Sequence, residues 1–361
     1  MSEREDLKRD FLARAGLAEA RRQALPGDAS TRAYERLHPA SGPSLILMDQ
    51  PPRLETQPCP PDASAEVRAA LGFNALYRLA AGRIEAFVAC AGHLRGLGLS
   101  APRIVAFDAG LGLAVMEDLG DALFGPRLAA GATDETDLYA AAVDALARLQ
   151  QGPAPDILAY DGVSWPLLDY DALALTTGGD LFVEWFPRLE PRLNFGDAAL
   201  AEWRQVWAPI VARGAAGARV FCHRDYHAEN LIWLPERTGV ARVGMIDFQD
   251  AVRAHPAWDV SMLLHDARRD VSAELETAML RRYLAAVPAG DAEAFLADYH
   301  ALGALNVLRI LGIFARLVVR DGKPRYRDFL PRLWTYLDRC LTPPAPTGLG
   351  VWLDRHVRPF L

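Results

Sequence analysis

One stretch of the chain, Phe221-Cys222-His223-Arg224-Asp225-Tyr226-His227-Ala228-Glu229-Asn230, carries an H-R-D-x-x-x-x-N string. A short apolar pair and a turn follow it, and then Val243-Gly244-Met245-Ile246-Asp247-Phe248, an apolar strand ending in Asp-Phe. Phosphoryl transfer asks little covalent work of a protein. The acceptor hydroxyl must be positioned, its proton taken up, and magnesium held against the triphosphate oxygens. One carboxylate for the proton, with one carboxylate and one amide oxygen for the metal, is the minimal set, and Asp225, Asp247 and Asn230 supply it. Magnesium takes hard oxygen ligands and keeps several waters, so a pair of protein ligands plus phosphates is sufficient. A loop from Asp225 to Asn230 that turns back beside a hairpin ending at Asp247 would aim both metal ligands at one point.

Blander readings stand beside this one. His223 and Asp225 could cap a turn while Asp247 merely closes a strand. His223 and His227 also have the i, i+4 spacing of a helical zinc pair, although the glutamate of H-E-x-x-H is missing. The order of the two motifs and the hairpin between them favour phosphoryl transfer. In that reading His223 and Arg224 hold the catalytic loop in place. Asp259 either accepts N–H groups of the loop or caps a helix. Cys222 packs in the core. Tyr226, His227, Glu229, Gln249, Asp250 and Arg253 lie close enough in sequence to the catalytic loops to be candidates for acceptor contacts.

The elements that must position these residues fall into two sets. Up to about residue 118 the signals are short and strand-like. Arg32, Tyr34 and Arg36 alternate with Ala33, Glu35 and Leu37, an apolar run follows at 45–48, and further strands are expected at 104–107 and 113–116. Ile84, Phe87, Val88 and Ala91 recur at i, i+3, i+4 and i+7 and predict one amphipathic helix. Beyond Gly120 long helical patterns take over, as at 138–149 and 273–286, interrupted by a strand-rich island at 220–248. The acidic, glycine-containing segment 117–121 joins the halves, and a cleft would lie there.

The formal charge of −7 over 361 residues argues against a nucleic-acid surface, which needs a clustered basic face. The four cysteines are far apart, with no CxxC spacing, and the N-terminus is too charged for a signal peptide. A monomer in a reducing cytoplasm is the expectation. The most apolar stretch, 301–319, contains Asn306, Arg309 and Arg316 at positions where charges are expensive in a bilayer, and reads as a core helix.

The two catalytic segments resemble the aminoglycoside phosphotransferase family. Leu25-Pro26-Gly27-Asp28-Ala29-Ser30-Thr31-Arg32-Ala33-Tyr34, Met48-Asp49-Gln50-Pro51-Pro52, Ile246-Asp247-Phe248-Gln249-Asp250 and the segment 308–325 are similar to a narrower group within it, the anomeric kinases of N-acetylmuramate and N-acetylglucosamine in cell-wall recycling. The resemblance implies an α+β, two-lobed protein-kinase-like fold, with a small β-rich nucleotide-binding lobe at 1–118 and a larger helical lobe at 119–361. It implies ATP and Mg2+, an amino-sugar acceptor phosphorylated at C1, Asp225 as base, and Asn230 and Asp247 as metal ligands. It also implies that Gly27, Asp28, Ala29, Ser30 and Thr31 form the loop over the triphosphate. Residues from Met116 through Glu117 to Leu119 would be the hinge that meets the nucleotide base.

One departure stands out. Kinases of this fold carry a lysine on the third strand that contacts the phosphates. The lysines here are Lys8 and Lys323, and neither lies there. Arg32 or Arg36, on the strand after the loop, is the candidate replacement, with Arg32 nearer the turn. A guanidinium can grip a pair of phosphate oxygens at once. The alternatives are that both arginines are solvated, that the acceptor is an aminoglycoside or another small alcohol, or that the chain is a catalytically silent nucleotide binder.

Overall fold

The computed structural model describes residues 3–26, 32–51, 57–287, 290–342 and 347–360. A strand that the sequence did not announce, β1 (Arg21–Ala24), precedes the expected strands, which are present as β2 (Ala33–His38), β3 (Leu45–Asp49), β4 (Ile104–Asp108) and β5 (Leu113–Glu117). They form one antiparallel sheet in the order β1-β2-β3-β5-β4. Period-two alternation gives this sheet two apolar faces. Leu37, Leu45, Leu47, Leu113 and Val115 face Phe11 and Leu12 of the Glu3–Arg14 helix. Met48, Ala114 and Met116 turn the other way, into the main core with the Ile84–Gly96 helix. That helix buries Ile84, Phe87, Val88 and Ala91, the stripe its periodicity predicts.

The helical part begins with Phe124–Ala129 and Glu135–Leu149, followed by a hairpin of β6 (Ile157–Tyr160) and β7 (Val163–Pro166). Two long helices, Ala172–Leu189 and Asp197–Ala216, lead to the strand-rich island. There β8 (Val220–Cys222) pairs with β11 (Val252–Ala254), and β9 (Leu231–Trp233) pairs with β10 (Val243–Met245), all antiparallel. The H-R-D-x-x-x-x-N segment therefore leaves β8, passes through a turn of 3-10 helix at Ala228–Asn230, and returns through the β9–β10 hairpin to Asp247.

The apolar stretch near 301–319 belongs to a 28-residue helix, Ala292–Val319, which by length and composition alone could cross a membrane. It is instead packed inside the protein and buries Leu302, Leu305, Leu308, Leu311 and Phe314. Its crossing with Ala172–Leu189 is close. A Cβ at Gly312 would stand 2.4 Å from the carbonyl oxygen of Leu181, so only glycine lets the two backbones approach.

Candidate active site

The loop after β8 is held by buried groups that the sequence places on either side of it. Both carboxylate oxygens of the fully buried Asp259 accept backbone N–H groups, from Arg224 at 2.8 Å and His223 at 2.6 Å. The Arg224 guanidinium donates to the carbonyls of Tyr77 (2.7 Å) and Arg78 (3.2 Å) and lies against the rings of Tyr77 and Tyr170. Nε2 of His223 is 3.0 Å from the Ile246 carbonyl. Burial pushes the His223 pKa down to about 4, so the imidazole is neutral and donates to that carbonyl. This bond ties the loop after β8 to the residue before Asp247. With His223 used in this way and Nδ1 of His227 accepting from the N–H of Glu229, the two imidazoles are engaged separately rather than converging as a zinc pair.

Arg224 and Asp247 have φ of +79° and +63°. For residues with a side chain this left-handed conformation costs about 1–3 kcal/mol and persists only where surrounding contacts impose it. Here it falls beside Asp225 and at Asp247 itself.

Asp225, Asn230 and Asp247 line one cavity of about 530 Å3. The backbone carbonyl of Asp225 accepts from the N–H of His227 (3.2 Å) and from Nδ2 of Asn230 (2.9 Å). Asn230 is thereby turned with its amide nitrogen toward the loop, which keeps Oδ1 out of that bond. Among the described residues no donor is hydrogen-bonded to the Asp225 carboxylate. Asp247 keeps 40% of its side chain exposed, while its Oδ1 accepts from Arg32 at 2.7 Å and from Gln249 at 3.1 Å. Burial raises the pKa of this carboxyl, but the Arg32 guanidinium and the Gln249 amide outweigh it and hold the pKa below the usual range. An amide oxygen and an ionised carboxylate on one wall are the hard donor set that a small divalent cation takes.

The remaining expected residues divide. Gly27, Asp28, Ala29, Ser30 and Thr31 lie outside the described residues. Arg32 reaches the site, bonded to Asp247, Gln249 and the Tyr34 hydroxyl. Arg36 is placed elsewhere: two carboxylates of the 117–121 segment, Asp118 (2.7 Å) and Asp121 (2.7 Å), clamp its guanidinium. Glu117 accepts from Arg237 at 2.6 Å. Leu119 packs with Ile232 and Leu234.

Of the acceptor candidates, His227 and Glu229 line the cavity. Tyr226 does not, since it is fully buried and its hydroxyl donates to the Ala142 carbonyl. Gln249 and Asp250 brace the loop, with Asp250 accepting the N–H of Ala80 at 2.7 Å. Arg253 turns away to Asp156 at 2.7 Å. Sequence reasoning missed Arg268, Arg309, Arg325, Phe314, Tyr326 and Phe329 as wall residues. The segment 308–325 already carried the family resemblance, and that was the available signal. Arg268 had none.

A model of the phosphotransferase enzyme family matches residues 21–299. The N-acetylmuramate/N-acetylglucosamine kinase of Caulobacter vibrioides is 65% identical over 356 residues, covering 99% of this chain and 97% of that protein. A choline/ethanolamine kinase family protein from Mesorhizobium loti superposes with a TM-score of 0.55 at 16% identity, covering 97% of this chain and 99% of the other. The ADP-bound aminoglycoside phosphotransferase APH(2'')-Ib gives 0.51 at 14% identity, over 93% and 98%. At such identities the shared property is the kinase-like fold, which is the architecture expected from the sequence. With a family match across most of its length and a named kinase as so near a relative, this chain belongs to the phosphotransferase enzyme family and is a kinase.

Proposed function

We propose that the chain transfers the γ-phosphoryl group of ATP, with Mg2+, to the anomeric C1 hydroxyl of N-acetylmuramate or N-acetylglucosamine. The observation that carries the reading is the Asp225 carboxylate, which opens without a hydrogen-bond partner among the described residues onto the cavity that Asn230 and Asp247 also line. The choice of sugar rests on the printed name of the 65% identical relative.

In this reading the sugar hydroxyl donates to Asp225, which takes its proton as the oxygen attacks the γ-phosphorus and the bond to the β-phosphate oxygen breaks. The proton then leaves Asp225 for solvent. An anomeric hydroxyl is more acidic than an ordinary sugar hydroxyl, so a carboxylate base is adequate. Asn230 Oδ1 and the free oxygen of Asp247 would hold the cation, which when bound draws charge off the β- and γ-phosphate oxygens. Phe314, Tyr326 and Phe329 offer the apolar surface that a pyranose face packs against. A reaction fed by ATP suits the cytoplasm.

The test is incubation with MgATP and a panel of N-acetylmuramate, N-acetylglucosamine and aminoglycosides, with phosphorus NMR to place the phosphate. A C1 phosphate labile to mild acid is the expected product, and Asp225→Asn should lower turnover by about two to four orders of magnitude while the protein stays folded. A 6-phosphate, or phosphorylated aminoglycoside without sugar turnover, would replace this reading. No product at all would leave a nucleotide-binding protein.

A further inference from the structure

The cavity that holds Asp225 has a basic wall that the transfer chemistry does not use. Arg268 follows the Ala257–Leu264 helix, and Arg325 lies in the short 3-10 segment Pro324–Phe329. Both line the cavity, and both are solvent-exposed. Their surroundings differ from those of neighbouring arginines. Arg269 pairs with Glu135, Arg332 with Asp270, and Arg339 with Glu276. Arg268 makes no ion pair among the described residues, and its Nη1 lies 3.5 Å from Nε2 of His227. Arg325 also has none, and its guanidinium rests 5.3 Å from the centre of the Tyr326 ring. Arg309, the third cation on this wall, is buried and committed to Asn306 (2.9 Å) and the Tyr77 hydroxyl (2.9 Å).

We propose that Arg268 and Arg325 form a subsite for a carboxylate carried by the acceptor, the lactyl carboxylate on C3 of N-acetylmuramate. The inference rests on the sugar-kinase reading above. A pyranose whose C1 hydroxyl meets Asp225 extends its C3 substituent across the same cavity. Guanidinium groups are the side chains best shaped to take a carboxylate in paired hydrogen bonds. The exposure of both arginines also explains how one site can serve two sugars. N-acetylglucosamine lacks the carboxylate, and with it bound the guanidinium groups remain hydrated, so no buried charge is stranded. The subsite therefore favours the acidic sugar without rejecting the neutral one.

The pair of sugars supplies an internal control. The quantity to measure is the ratio of kcat/KM for N-acetylmuramate to that for N-acetylglucosamine, in the parent and in Arg268→Gln, Arg325→Gln and the double variant, with Arg332→Gln as a neighbour that already has a carboxylate. The subsite requires the ratio to fall about tenfold or more in the double variant, the scale of a hydrogen bond to a charged group, and to stay put in Arg332→Gln. Equal loss for both sugars, or a rise confined to the KM for ATP, would assign the arginines to the phosphates or to the fold and overturn the proposal. A second measurement avoids catalysis. Calorimetric binding of N-acetylmuramate against its carboxamide should show a preference for the acid in the parent and none in the double variant. If the parent phosphorylates neither sugar, the sugar-kinase reading itself has failed, a result distinct from an unchanged ratio.

Discussion

At the scale of single residues, the absent third-strand lysine leaves Arg32 as the candidate cation for the phosphates. Its guanidinium already sits 2.7 Å from the Asp247 carboxylate, while Arg36 is occupied by Asp118 and Asp121. We infer that Arg32 contacts the triphosphate. Arg32→Ala should then cost about 1.5–3 kcal/mol of transition-state stabilisation, read from kcat/KM for ATP. Glu35→Ala is the control, because Glu35 is bonded to Lys8 and Arg22 on the far face of the sheet. If both variants behave alike, the phosphate cation is another residue. That Asp225 and Asp247 share one cavity was legible in the sequence because they lie on consecutive short loops, where spacing alone brings them together. Arg268 was not, because it reaches this cavity only through the packing of segments that are distant in the chain.

At the scale of elements, the amphipathic helix and the sheet strands followed from periodicity, since each buries one side. The Glu3–Arg14 helix did not announce itself. It is so rich in charge that its N-terminal half reads as a solvated tail, and its anchorage depends on Phe11, Leu12 and the ion pair of Lys8 with Glu35. The β6–β7 hairpin escaped for another reason: its strands are four residues each and only partly buried, too short for alternation to register. The contact of Ala292–Val319 with Ala172–Leu189 can be tested directly. Gly312→Ala forces a methyl into the Leu181 backbone and should lower stability by about 1–3 kcal/mol, seen as a lower urea midpoint with an unchanged slope. Gly350→Ala, in a helix where nothing stands within 4 Å of the added methyl, should instead be neutral or slightly stabilising.

At the scale of the whole molecule, stability should follow pH through one buried pair. His265 Nε2 lies 3.1 Å from Glu276, which also accepts from the Tyr299 hydroxyl (2.8 Å) and Arg339 (3.1 Å). Burial alone would lower the imidazole pKa, but Cys340 and Glu276 outweigh it and push it up to about 10. Burial alone would raise the Glu276 carboxyl, yet His265, Tyr299 and Arg339 bring it down to about 2. The raised histidine contributes fully below its unfolded value of 6.5 and loses that contribution as pH rises toward 10. The depressed glutamate contributes fully above 4.5 and loses it toward 2. The pair should therefore stabilise most between pH 4.5 and 6.5. Glu276→Ala should cost about 3–5 kcal/mol there, and the difference from the parent should shrink by pH 9, as measured by urea unfolding at each pH. A difference independent of pH would mean that the pair is not ionised. The sheet and the helices also share more than a linker. The ring of Phe87, on the helix behind the sheet, stacks on Phe248, the residue after Asp247, with centroids 4.9 Å apart, and one apolar cluster runs unbroken from Met48 to Val357. The two parts are thus poorly interchangeable: a sheet and helix grafted from a distant relative would arrive without the Phe87 ring that seats Phe248, and the Asp247 carboxylate beside it would lose its footing.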